Sequence, residues 1–129
     1  MPDPKKLFEF IRANFNRKVD TEPDFRALVA NFNKTIFFSL EDGGRYCFSL
    51  VNGYVPEIKE GTPLRFDIKI MTNTENLLAL LSGKLDPMQA MMTRKLRVSA
   101  SLQDVAWLKR FLNLNKSTIS NIIKDYETS

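Results

Sequence analysis

The chain has 129 residues, 43% of them hydrophobic and 26% charged, with a formal net charge of +4. That length fits one domain with its own core, and no run of about 18 apolar residues is present to span a bilayer. With no histidine and one cysteine, Cys47, the chain lacks the commonest general base, the commonest metal ligand and any internal disulfide, which argues against catalysis and against a metal centre.

The N-terminus has no continuous apolar stretch followed by a small-residue cleavage site, and a lone cysteine suits a reducing compartment, so a cytoplasmic protein is expected. Asp3-Pro4 supplies a cap and a first-turn proline for a helix carrying Leu7, Phe8, Ile11 and Phe15. Thr21 is expected to open a second helix, with Glu22 and Asp24 in its first turn and Phe25, Leu28, Val29 and Phe32 as its stripe.

From residue 35 the apolar period changes from helical to two. "TIFFSLED" and "RYCFSLV" flank Gly43-Gly44, a hairpin signal, and Asn52-Gly53 is a second, predicting a short strand over Tyr54 to Ile58 that ends near Gly61. In "LRFDIKIM" the alternation predicts Leu64, Phe66, Ile68 and Ile70 on one face and Arg65, Asp67 and Lys69 on the other.

Thr72-Asn73-Thr74-Glu75 reads as a capping box for a helix bearing Leu77, Leu78 and Leu81, closed by Gly83. Asp86-Pro87 opens a short helix with Met88, Met91 and Met92, and "KLRVSA" is the fifth strand. Ser101 caps a helix with Leu102, Val105, Leu108 and Leu112. Ser117 is expected to cap a separate last helix over 117–127, with Ile119, Ile122, Ile123 and Tyr126 at helical spacing. This order predicts a single α+β domain over 1–129, a five-stranded mostly antiparallel sheet with helices on one face.

Leu77, Leu78, Leu81 and the run Gly83-Lys84-Leu85-Asp86-Pro87, followed by Lys95, Leu96 and Val98, resemble the sterol carrier protein 2 family over about residues 25–113. Three departures stand out. Arg94 and Ala100 occupy positions where that family usually has glycine, and Met91 and Met92 stand where it often has phenylalanine. The chain's last residues are Glu127-Thr128-Ser129, not the small-basic-Leu peroxisomal address of many eukaryotic members. The resemblance implies a non-catalytic lipid carrier, holding a sterol, fatty acyl chain or similar amphiphile in an apolar tunnel between sheet and helices, with no cofactor.

On that reading the tunnel wall is expected from Phe66, Ile68, Ile70, Leu78, Leu81, Met88, Met91, Met92, Trp107 and Phe111. Methionine suits a wall that accepts varied shapes, although the same cluster at helical spacing is equally a description of core. Lys84, Arg94, Lys95 and Arg97 flank the methionine segment and are the candidates for headgroup or membrane contact. Lys5, Lys6, Arg12, Arg17 and Lys18 make the first helix basic and amphipathic, a second candidate for an anionic membrane. Nucleic acid is disfavoured, because no aromatic–glycine RNA signature, recognition-helix pattern or dense basic run is present. The alternative function is an interaction module with the same fold and a filled core, dimerising through the C-terminal stripe.

Overall fold

The computed structural model describes residues 3–128. Helix α1 (Pro4–Thr21) starts where the Asp3 carboxylate accepts the Lys5 N–H at 3.0 Å, and it buries Leu7, Phe8, Phe15 and Val19. Thr21 closes this helix and does not open the next one. Its hydroxyl donates to the Arg17 carbonyl, and Glu22 takes the cap position of α2 (Pro23–Val29). The physical reason is Pro23, whose ring pushes the residue before it out of the helical region. Phe25 and Val29 are buried on α2, Phe32 is buried just beyond it, and Leu28 is exposed.

Strands β1 (Thr35–Leu40) and β2 (Gly44–Ser49) form the expected hairpin. The strand expected over Tyr54 to Ile58 is not there: Tyr54 makes one isolated bridge with Val51, and β3 is only Lys59–Glu60. Pro56 has no N–H to give a ladder. The backbone of Val55 is also already taken by the buried Asn16 amide, which accepts its N–H at 2.9 Å and donates to its carbonyl at 2.6 Å.

Strand β4 (Ile68–Thr72), α3 (Thr74–Leu81), α4 (Pro87–Met92) and β5 (Arg97–Ser99) follow in the predicted order. The final element is one helix, α5 (Leu102–Thr128), and not two. The buried positions Leu108, Phe111, Asn115, Ile119 and Ile122 keep helical spacing straight through Ser117, and a capping residue with no glycine or proline beside it does not stop a helix whose apolar stripe continues.

The sheet order is β3-β2-β1-β4-β5. Three pairings are antiparallel and β1–β4 is parallel, so the sheet is mixed. Residues paired across strands share a face. Ile36, Phe38, Leu40, Tyr46, Phe48, Ile68, Ile70 and Val98 therefore lie together, and they pack with α1, α2, α3 and α5 into one core. Phe37, Cys47 and Lys69 lie on the other face.

The parallel β1–β4 pair has a topological consequence. To reach the far side of β1 from β3, residues 61–67 must cross the hairpin. The alternation read from Leu64 onward therefore outruns the strand, which begins only at Ile68. Leu64 is fully exposed, and Phe66 packs against Phe37 with ring centroids 5.6 Å apart, on the face opposite Ile68 and Ile70.

Candidate functional site

The candidate site is the α3–α4 pair where it leans on β4 and α5. The Asn73 side chain accepts the Asn76 N–H at 2.8 Å and starts α3, one residue later than a Thr72 cap would have placed it. The Thr72 hydroxyl is instead spent on the Lys95 carbonyl, tying β4 to the segment that leads into β5. Helix α3 buries Leu77 fully and leaves Leu78 and Leu81 half-buried against the core. Gly83 ends it with φ +83, the conformation expected of a helix terminator.

Asp86 accepts the Gln89 N–H at 3.0 Å and opens α4. Only Ala90 of α4 is fully buried. Met91 packs partly on the core, whereas Met88 is 51% and Met92 81% exposed. The helix closes in a Schellman arrangement: Lys95 N–H donates to the Ala90 carbonyl at 2.8 Å and Arg94 N–H to that of Met91 at 3.2 Å. Arg94 occupies the left-handed position of this motif, with φ 61. That geometry accounts for a glycine being the usual residue there.

Lys84 sits in the α3–α4 connection, and Arg94 and Lys95 in the α4–β5 connection, all exposed. None of the three is in an ion pair among the described residues. Arg97 does not join them, because its β5 register places it with Met71 on the helix-free face.

The remaining wall candidates divide. Ile68 and Ile70 are buried on the helix face of β4. Trp107 and Phe111 are buried and stacked on one another, centroids 5.5 Å apart and planes 7° apart, with Phe32 set edge-on to them at 5.4 and 5.2 Å. Phe66 is 42% exposed and lies across the sheet from all of these.

One residue was not singled out in the sequence. Asn115, one turn beyond Phe111 on α5, is 0% exposed. Its side-chain N–H donates to the Phe111 carbonyl at 2.8 Å, and that bond fixes the amide so that Oδ1 faces the interior with no donor. An asparagine at an apolar position of the α5 stripe was the available signal.

The titratable groups nearby are structural. Two hydrogen bonds from Thr74, backbone and hydroxyl, hold the Asp42 carboxyl below its ordinary value and fix the start of α3 on the β1–β2 turn. Hydrogen bonding to Asp104 at 2.8 Å raises the Lys34 ammonium and ties the β1 approach to the first turn of α5. Burial pushes the Cys47 thiol up, which makes it a poor nucleophile.

The C-terminal stripe is covered within the chain. Ile119, Ile122 and Ile123 are buried in the core, Tyr126 packs edge-on to Phe10 at 5.3 Å, and the Ser120 hydroxyl reaches the Ser82 carbonyl at the end of α3. Among the described residues, no helix is long and apolar enough to cross a membrane.

Residues 15–113 match the family model for the SCP-2 sterol transfer family. Comparison with curated proteins by sequence gives no match. Among solved structures, apo sterol carrier protein 2 from Yarrowia lipolytica is similar at TM-score 0.57 and 20% identity, over 96% of this chain and 94% of that one. A structure described as UbiJ-SCP2, a ubiquinone synthesis protein, is similar at TM-score 0.60 and 11% identity, over 100% and 98% of the two chains. The sec-alkylsulfatase Pisa1 from Pseudomonas sp. is similar at TM-score 0.64 and 14% identity. There 80% of this chain is covered, and the chain spans only 15% of the sulfatase. At these identities the structures share the fold, whereas the family match runs from the second half of α1 into α5. By that match the chain belongs to the SCP-2 sterol transfer family.

Proposed function

We propose that the chain is a non-catalytic lipid carrier that holds one amphiphile between the helix face of the sheet and the α3–α4 pair. The observation that carries this reading is the arrangement of apolar surface there. Leu78, Leu81, Leu85 and Met91 are only half-buried on the core, Met88 and Met92 are open to solvent, and Lys84, Arg94 and Lys95 stand in the two connections that bracket α4. A short helix anchored by a single buried Ala90 and lined with methionines is a wall that adjusts to a guest.

In this reading Ile68 and Ile70 form the floor, Leu78, Leu81, Met88, Met91 and Met92 the adjustable side, and the Trp107–Phe111 stack the closed end. Phe66 takes no part. The basic residues favour a carboxylate or phosphate headgroup. Twelve buried methylenes give about 10 kcal/mol of transfer free energy at roughly 0.8 kcal/mol each. Association and ordering subtract about 4 kcal/mol or more, which leaves at most about 6 kcal/mol, an affinity of tens of micromolar or weaker with no specific polar contact.

Titration with a fluorescent fatty acid, a fluorescent sterol and a prenylquinone tests the reading, alongside native mass spectrometry for a co-purifying lipid. Saturable 1:1 binding by one class is expected, weakened more than tenfold by Met91→Asp. The absence of saturable binding by every class refutes it. The alternative, a filled-core interaction module, draws on the packing of Phe15, Phe25, Phe32, Trp107 and Phe111, which closes the α1–α2–α5 side with rings 5.2–6.1 Å apart.

A further inference from the structure

The face of the sheet turned away from the helices has two unusual features. The register places Arg45 and Cys47 of β2, Lys59 of β3, Phe37 of β1, Lys69 and Met71 of β4, and Arg97 of β5 together on it. Phe37 is 3% exposed although it lies outside the helix-packed core. Part of its cover is Phe66, from the crossing segment 61–67, and part is Lys69, whose ammonium lies 5.6 Å from the ring centroid.

The crossing segment is held at both ends. Gly61 N–H donates to the Arg45 carbonyl, and Asp67 exchanges two hydrogen bonds with the Thr35 backbone, each at 2.9 Å. Between these ties it raises Leu64 fully into solvent, beside Arg65 and the exposed edge of Phe66, over an open depression of about 530 Å³. The result is an apolar tip at the centre of a basic face.

Charge and shape together select the occupant. Among the described residues Arg45, Arg65, Lys69 and Arg97 are in no ion pair, and Lys59 is paired with Glu57 at 3.6 Å. The cations lie on four strands and the crossing segment, from edge strand β3 to edge strand β5, about 19 Å at about 4.8 Å per strand spacing, as a plane and not as a groove. A polyanion alone would satisfy the charges but leave Leu64 in water. The basic first helix is a poorer candidate. Its apolar stripe is buried, and three of its five cations, Lys5, Arg12 and Lys18, are paired with Glu60, Glu9 and Glu22.

We propose that this helix-free face docks on an anionic lipid bilayer, with Leu64 and the rim of Phe66 entering the headgroup region and the five basic residues lying against lipid phosphates and carboxylates. The dock lies across the sheet from α3 and α4 and does not depend on the ligand reading.

Vesicle co-sedimentation of the full chain tests it, with phosphatidylcholine alone or with about 30 mol% phosphatidylserine, in about 0.05 M and 0.5 M salt. Binding is expected only with the anionic lipid, and to fall in high salt. Leu64→Ser, at a fully exposed site, and the pair Arg45→Glu with Arg97→Glu each lower the partition coefficient roughly tenfold or more. Lys6→Glu with Lys109→Glu, an equal charge change on exposed helix positions, retains at least half of it. Far-ultraviolet circular dichroism confirms that each variant is folded. The proposal is overturned if the wild-type chain ignores anionic vesicles or if the helix pair loses as much as the sheet pair. It is equally overturned if Leu64→Ser changes nothing while an oligonucleotide competes the vesicles away, which would make the partner a polyanion.

Discussion

Replacing Arg94 by glycine separates two roles of that residue. Its backbone sits at φ 61 at the close of α4, where the Schellman bonds from Lys95 and Arg94 require the left-handed region. For a residue with a Cβ that region costs about 1–2 kcal/mol. Glycine removes this cost but gives back about 0.4–1 kcal/mol through the greater freedom of the unfolded chain, so the net gain is about 0.5–1 kcal/mol. For a chain of this size that is a rise in melting temperature of roughly 2–5 °C. Arg94→Ala is the control: it removes the guanidinium while keeping the strained backbone, and its stability stays within about 0.5 kcal/mol of the wild type. Urea denaturation of the three proteins reads the difference. If Arg94 also meets a ligand headgroup, both variants lose the same few-fold affinity for a fatty acid, because both lose the charge. A glycine variant no more stable than the alanine variant would refute the backbone argument, and unequal losses of affinity would refute the headgroup role.

The other predictions are briefer. Asn115→Leu is expected to raise the stability of the lipid-free protein by about 1 kcal/mol, since a buried acceptor without a donor costs about 1–3 kcal/mol. A lowered midpoint would show that Oδ1 has a partner in solution. Ile123→Ala, at a position 0% exposed, should cost about 2–5 kcal/mol and leave the native elution volume unchanged. A change of oligomeric mass without loss of stability would support a dimer through the C-terminal helix. Asp42 has a lowered folded pKa, so its contribution is complete above the ordinary aspartate value of 3.8 and is lost as pH falls through the folded value. Asp42→Asn should therefore flatten the acid limb of the stability profile below pH 3.8, and an unaltered limb would contradict the Thr74 linkage.

The local signals were legible because they act through neighbouring backbone groups. Asp3-Pro4, Gly83 and Asp86-Pro87 each satisfy or end a helix within a turn of themselves, and each does so in the structure, whereas the cap of α3 falls at Asn73, one residue past the Thr72 expected. The Gly43-Gly44 hairpin and the apolar stripes of α1 and α3 belong to the same class. Most of the candidate site was also within reach, since Leu78, Leu81 and Met91 share the α3–α4 pair with Lys84, Arg94 and Lys95. What remained depended on contacts between distant residues. Asn16 reaches 39 positions along the chain to occupy Val55, and no strand signal at Tyr54–Ile58 survives that competition.

From the order and period of its residues alone, the chain determined an α+β domain, the starts of α1, α4 and α5, the stop of α3, and which side chains are greasy. Only the tertiary structure decided which greasy side chains share a space. Once β4 pairs parallel to β1, residues 61–67 are bound to cross the sheet, and Phe66 is carried to the face opposite Ile68. Alternation fixes the relative sides of neighbours only while the strand lasts, and where the strand begins is set by topology.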